Sequence, residues 1–224
     1  MKLGLIAAVA ALSLAAAGAA SASVTDVTSE AALAPNDFID WGQLGGSFTS
    51  LSNAFDVQDT LGNTVNVSSG GNMYRLDEGN GWNGNFAYGE RLLWTDQNGP
   101  DITLNFNAPV FGVGAQIQAD FFGSFQAEII GSNGAVLGSF QENGYSDSNG
   151  DGSAIFIGLK STTSIAQIRF DLTDAYYAPN DFAIGHVAIN TTGGVPEPAS
   201  WALMILGFGA IGAATRGRRA AAAA

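Results

Sequence analysis

The chain of 224 residues carries 20 acidic against 8 basic side chains, a formal charge of −12, with one histidine and no cysteine. Thiol nucleophiles, thiolate metal sites, redox cysteines and clusters of histidine ligands are thereby excluded, and a Ser-His-Asp triad would have to use His186. The negative surplus repels nucleic acid and anionic lipid, so neither is an expected partner of the folded part.

Read from the start, Lys2 precedes an unbroken small and apolar stretch from Leu3 to Ala20, and Ala20-Ser21-Ala22 puts small residues where a signal peptidase cuts. Residues 1–22 are expected to be a cleaved signal peptide, with Ala17-Gly18-Ala19 as a second cleavage site three residues earlier. Removing this leader and a C-terminal tail leaves residues 23–195, enough for one domain with a sizeable core and no need of disulfides. That stretch holds four basic residues (Arg75, Arg91, Lys160, Arg169) against nineteen acidic ones.

Helical periodicity is scarce in it. Short alternating runs predict strands over Ile102–Phe106, Val110–Gln118, Phe125–Ile130, Ala135–Phe140, Ala154–Leu159, Ile165–Leu172 and Phe182–Ile189. Asn133-Gly134 signals a two-residue hairpin, and His186 falls on the polar face of the last strand. Strands at this spacing predict an all-β domain, an antiparallel β-sandwich or jelly roll. Ala34-Pro35-Asn36-Asp37-Phe38 recurs as Ala178-Pro179-Asn180-Asp181-Phe182, once near each end of the domain. If first and last strands lie side by side, the matching loops would meet; a shared turn preference of Pro-Asn-Asp explains the echo equally well.

Two segments are candidates for function. Asp147, Asn149 and Asp151 stand at alternate positions before Gly152, a spacing that turns three oxygen-bearing side chains toward a hard cation such as Ca²⁺. Gly158 stands where an EF-hand needs glutamate, so a complete EF-hand is excluded, and the same residues suit a solvated hairpin turn. From Gly79 to Pro100, Trp82, Tyr88 and Trp94 alternate with Asn, Asp and Glu. Sugar C–H faces stack on such rings while amides and carboxylates bond the hydroxyls; equally, these aromatics serve to close the end of a sandwich.

The tail begins at Val195. Pro196-Glu197-Pro198 precedes Trp201-Ala202, an apolar run to Ala214, and then Arg216, Arg218 and Arg219. The run from Trp201 to Ala214 would be about 21 Å long as a helix, a marginal transmembrane span that the arginines orient with its C-terminus inside. Together these features resemble the PEP-CTERM sorting signal over residues 196–219, followed by a tail, Ala220–Ala224, that extends past the usual end. The resemblance implies recognition by an exosortase in a Gram-negative bacterium that makes extracellular polysaccharide. Gly81-Trp82-Asn83-Gly84-Asn85-Phe86, Leu92-Leu93-Trp94-Thr95, Phe111 to Gln118 and Asp181 to Gly185 are similar to segments of β-rich PEP-CTERM ectodomains. That likeness implies a galactose-binding-like jelly roll at the cell surface and names no ligand.

The expectation is therefore an exported, non-catalytic surface or matrix protein that meets signal peptidase and exosortase during export, passes through a membrane-anchored stage, and binds extracellular polysaccharide. Two alternatives stand beside it. One is a hydrolase of extracellular sugars or peptides, for which no Gly-x-Ser-x-Gly or His-Glu-x-x-His motif is present. The other is a self-associating coat protein bridged by calcium.

Overall fold

The computed structural model describes residues 23–96, 101–175 and 181–193, together with Ile205, Gly207 and Phe208. The expected signal peptide lies outside the described residues, as does the expected apolar span apart from those last three positions. Among the described residues no helix is long and apolar enough to cross a membrane.

The domain is all-β, as the alternation predicts. Thirteen strands form one hydrogen-bonded network. Eight are short: β1 (Val24–Val27), β2 (Asp37–Ile39), β3 (Thr49–Leu51), β4 (Ala54–Gln58), β5 (Thr64–Ser68), β6 (Met73–Glu78), β7 (Gly81–Trp82) and β8 (Arg91–Thr95). Five longer ones follow: β9 (Asp101–Ala119), β10 (Gly123–Ser132), β11 (Val136–Ser146), β12 (Ile155–Ala175) and β13 (Phe182–Asn190). A short helix, α1 (Glu30–Leu33), follows β1, and a 3₁₀ turn covers Trp41–Leu44.

The two longest strands explain the architecture. In its first half β9 pairs with β5 on one side and with the second half of β12 on the other. In its second half β9 pairs with the first half of β12 and with β13. β12 changes neighbours in the same way, from β1 to β10. The apolar residues change parity at the crossover: Ile102 and Leu104, then Val113, Ala115, Ile117 and Ala119 in β9; Ile157, Leu159 and Ile165, then Ile168, Phe170 and Leu172 in β12. In a strict ladder the second set would point to the opposite face. Register shifts between Lys160 and Ile165, and between Ile165 and Gln167, absorb the extra residues. One apolar cluster consequently receives side chains from both halves of the network, from Val65 and Phe170 to Leu93 and Ile184.

The sequence divides β9 and β12 into two strands each because Asn107-Ala108-Pro109 and Ser161-Thr162-Thr163-Ser164 interrupt the alternation, yet the backbone stays extended through both. Gly114 and Gly158 face each other across the β9–β12 ladder. A side chain on Gly114 would come within 2.9 Å of the Gly158 Cα and collide with the Phe156 ring, so this crossing requires glycine. The β10–β11 hairpin forms where Asn133-Gly134 predicts it. Its connection is Asn133–Ala135, one residue longer than expected, with Gly134 at φ +77° and a register shift beside Ser132.

The outer face of β13 is covered by α1. Leu33 is buried against Val27 and Ala188, Lys160 Nζ donates to Ala32 O at 2.6 Å, and Asn190 Nδ2 donates to Leu33 O and Ala34 O. These donors satisfy the carbonyls that a helix end leaves open. Ser23, hydrogen-bonded to Thr162, and Asn190, opposite Gly112, put both termini of the described domain at the Gly112–Lys160 end of the ladder. The described residues of the two echoed segments lie at opposite ends of β13. β2 pairs with β13 through Asp37 and Ile189, whereas Asp181 precedes the opposite end of β13; residues 178–180 lie outside the described residues.

Candidate functional site

The two segments singled out by sequence come together in space. Gly150 N donates to Gly84 O at 2.7 Å, Ala154 N donates to Asn85 O at 3.0 Å, and Ala87 forms a bridge with Asp151. The joint is built from neutral amides that β9 presents on its outer face. Gln118, 1% exposed, accepts from Asn85 N at 2.6 Å and donates to Asn85 Oδ1 at 2.7 Å and Ser146 Oγ at 2.6 Å. Asn85, 4% exposed, donates to Asp147 Oδ1 at 2.6 Å and to Ser153 Oγ, and its Oδ1 also accepts from Asp147 N. Gln116 Nε2 donates to Gly152 O and Ala154 O. Glu78 accepts from Gly84 N at 2.9 Å, and burial raises its pKa. Buried polar groups are tolerated when each finds a partner, and here the partners belong to two distant segments.

Within this joint the nominated residues separate. Trp82 is buried and packs edge-on against Phe86, with centroids 6.3 Å apart. Trp94 is half-buried beside Tyr74 at 5.6 Å. Tyr88 is 82% exposed, its ring laid in the space that glycine leaves at Gly79, where φ is +81°. Asn80 and Asn83 are exposed on the same loop. Asp147 accepts from Asn85 Nδ2 and Asn149 N on Oδ1, and from Asn149 Nδ2 on Oδ2. Asp151 accepts from Ser153 N at 3.0 Å, and its bonds to Ser153 lower its pKa. The cation loop thus spends these carboxylate oxygens on N–H donors of its own protein. Among the described residues no group of three or more His, Asp or Glu side chains is placed to hold a metal ion.

A second site has no forerunner in the sequence reading. Gly185 and His186 together stand opposite Gln116, because Ile184 pairs with Ile117 and Val187 with Ala115. This bulge falls where β8 and β2 part along one edge of β13. β8 pairs with Ala183 and Ile184, and β2 takes over at Val187. Side chains close the seam that the ladder leaves open. Trp41 Nε1 donates to Gly185 O at 2.8 Å in the interior, and Arg91 Nη1 meets Asp40 Oδ2 at 2.6 Å at the surface. His186 Nδ1 lies 2.8 Å from Glu90 Oε1, and Nε2 lies 3.0 Å from Glu30 Oε2 on α1. The Phe38 ring stands 5.7 Å from the imidazole.

The hydrogen bond that His186 donates to Glu90 and the charges of Glu90 and Glu30 outweigh burial and raise the His186 pKa to about 9. Burial alone would raise the pKa of Glu90; the hydrogen bonds and charge of His186 together win and lower it. His186 is therefore an imidazolium at neutral pH with both N–H groups donating. Around it opens a groove of about 310 Å³ lined by Phe38, Asp40, Thr60, Glu90, Arg91 and His186. It adjoins a second hollow of about 350 Å³ toward Gln43, Gln58 and Asp59.

These features define an all-β domain with two polar surface sites and an export-type tail. Residues 194–219 match the family model of the PEP-CTERM protein-sorting motif, a span that contains Pro196, Glu197, Pro198, Trp201, Arg216, Arg218 and Arg219. The motif marks an exported protein that an exosortase sorts through its C-terminal segment. No curated protein matches the chain significantly. Among solved structures the chain resembles CsCBM6-3 from Clostridium stercorarium in complex with cellobiose, at 8% identity and TM-score 0.24 over 75% of this chain and 94% of that one. It also resembles a glycoside hydrolase family 43 arabinoxylan arabinofuranohydrolase from Bacillus subtilis, at 12% identity and TM-score 0.30 over 68% and 43%. A third likeness is to the carbohydrate-binding module CBM36 in complex with calcium and xylotriose, at 13% identity and TM-score 0.22 over 74% and 99%. Likenesses this distant carry no argument about ligand.

Proposed function

We propose that this is a non-catalytic surface or extracellular-matrix protein of a Gram-negative bacterium, with a jelly-roll sandwich that binds extracellular polysaccharide at the joined-loop end. The observation that carries the binding is Tyr88: a large ring 82% exposed, fixed on a frame of buried amides, with exposed Asn80 and Asn83 on the same loop. A ring face takes the C–H side of a sugar, amides take its hydroxyls, and a rigid frame lowers the entropy cost of holding them there.

The test is binding of the purified chain to a glycan array and to the cell's own matrix polysaccharide, in calcium and in EDTA. Binding that Tyr88→Ala abolishes supports the reading, and loss in EDTA with recovery in calcium assigns a cation to the loop of Asp147, Asn149 and Asp151. No binding under either condition overturns it. The coat-protein alternative has one observation of its own. β11 pairs with β10 along one side only and bears exposed Val136 and Tyr145, an open edge suited to strand addition by a second copy. Calcium-dependent growth in sedimentation, without glycan affinity, would favour it.

A further inference from the structure

We infer that the groove in the seam between β2 and β8 is a second carbohydrate subsite, one that takes an uncharged stretch of a polysaccharide chain. This rests on the polysaccharide reading above and adds a separate place and a charge preference to it.

The groove combines three things that a sugar needs and that ordinary surface hollows lack. The first is an apolar floor. Phe38 is half-buried and lines both the groove and the adjoining hollow. The second is a donor fork. Arg91 spends one Nη1 contact on Asp40 and keeps the rest of its guanidinium, 53% exposed, for other partners. That guanidinium is positioned by an absence: Gly42 has no side chain, and a Cβ there would lie 2.9 Å from Arg91 Nε and Nη1. The third is a set of acceptors. Glu90, which lines the groove, uses Oε1 for the His186 ring and backbone and retains Oε2, beside the Asp40 carboxylate. Neighbouring hydroxyls of one pyranose can accept from a guanidinium and donate to a carboxylate at once.

Charge selects the class of ligand. The carboxylates of Asp40, Glu90 and Glu30 outnumber the cations of Arg91 and His186 and so disfavour uronate or sulfated chains. A neutral polyol satisfies both sets without an uncompensated charge. The groove of about 310 Å³, extended by its neighbour of about 350 Å³, falls in the usual range for small-molecule sites. The bulge explains why the site is here: it turns Gly185 and His186 outward together and parts the strands that would otherwise close the sheet.

The chain contains a single histidine, so the imidazole signals in a ¹⁵N-labelled sample report on this groove alone. Titrating the full chain with xylopentaose, cellopentaose and an oligogalacturonate should shift the His186 signals with a neutral sugar and leave them still with the acidic one. Arg91→Lys, which keeps charge but removes the fork, and Gly42→Ala, which displaces it, should each weaken that response at least tenfold. Tyr88→Ala should leave it intact. Neutral sugar binding that Tyr88→Ala removes, with His186 unmoved and Arg91→Lys without effect, would overturn the subsite and leave the first reading standing. A stronger response to the oligogalacturonate would overturn the charge preference, and no binding of any sugar would overturn both readings.

Discussion

The joined loops and the seam both occupy places where the strand ladder stops, and they are closed by opposite chemistry. At the loops, Asn85 and Gln118 are almost fully buried, uncharged, and exchange hydrogen bonds with each other and with the backbone of two segments. At the seam, Arg91, Asp40, Glu90, Glu30 and His186 are partly exposed and charged. The amides themselves do not titrate, although the network also takes in the Asp147 and Glu78 carboxylates, and it is costly to break because each orphaned partner loses its water as well. A half-exposed ionic cluster is weaker, is screened by salt, and responds to pH. The comparison teaches that one region is built to hold shape and the other keeps unspent hydrogen-bonding capacity at its surface.

The contrast should be visible first in the aromatic residues of the loop end. Trp82→Ala empties a buried site and should cost about 3–5 kcal/mol in urea unfolding, whereas Tyr88→Ala should change stability by less than about 0.5 kcal/mol. Similar values for the two would dissolve the distinction between frame and exposed ring. Next in size is Asn85→Ala, which orphans Asp147 N and takes one partner from Gln118 Nε2 while leaving it Ser146 Oγ. A loss of about 2–3 kcal/mol, unchanged between low and high salt, is the expected result, and a salt-dependent loss would contradict the uncharged account. The smallest effect lies in the seam and is one of pH. Because the folded pKa of His186 is raised to about 9, its contribution is complete below the ordinary histidine value of 6.5 and disappears as pH rises through about 9. The contribution of Glu90, whose pKa is lowered, is present above 4.5 and disappears as pH falls through the lowered value. Glu90→Gln should move the His186 NMR titration midpoint down toward 6.5 and flatten the alkaline loss; an unmoved midpoint would break the assignment.

Much of the fold was legible in the sequence. The last strand, the β10–β11 hairpin and each half of the two crossover strands lie close to where alternation predicts them, because within each half one face lies in the core; the change of parity hid that the halves are continuous. The early strands were less legible. β2, β3 and β7 are two or three residues long, too short for any period to register. The loop site was half-legible: Trp82 and Tyr88 are both aromatic in a Gly/Asn-rich segment, and nothing local decides that one is buried and the other exposed. What decides it is packing from other segments, since Trp82 is buried with Leu76, Leu92, Ala154 and Ala183. The seam was not legible. Asp40, Glu90 and His186 are brought together by a bulge opposite Gln116, and only the register of β13 on β9 reveals it.

Both termini of the described domain leave from the Gly112–Lys160 end, while the joined loops hang from Gln116 and Gln118 farther along the same strand. Six residues of strand separate Gly112 from Gln118, about 20 Å at the usual rise. Attachment through residues 194–219 would therefore lead from the Gly112–Lys160 end, with the joined loops at the far end of that strand. On intact cells, a bulky label directed to a cysteine introduced at Tyr88 should therefore react ahead of one at Thr192, and the order should vanish once the chain is freed.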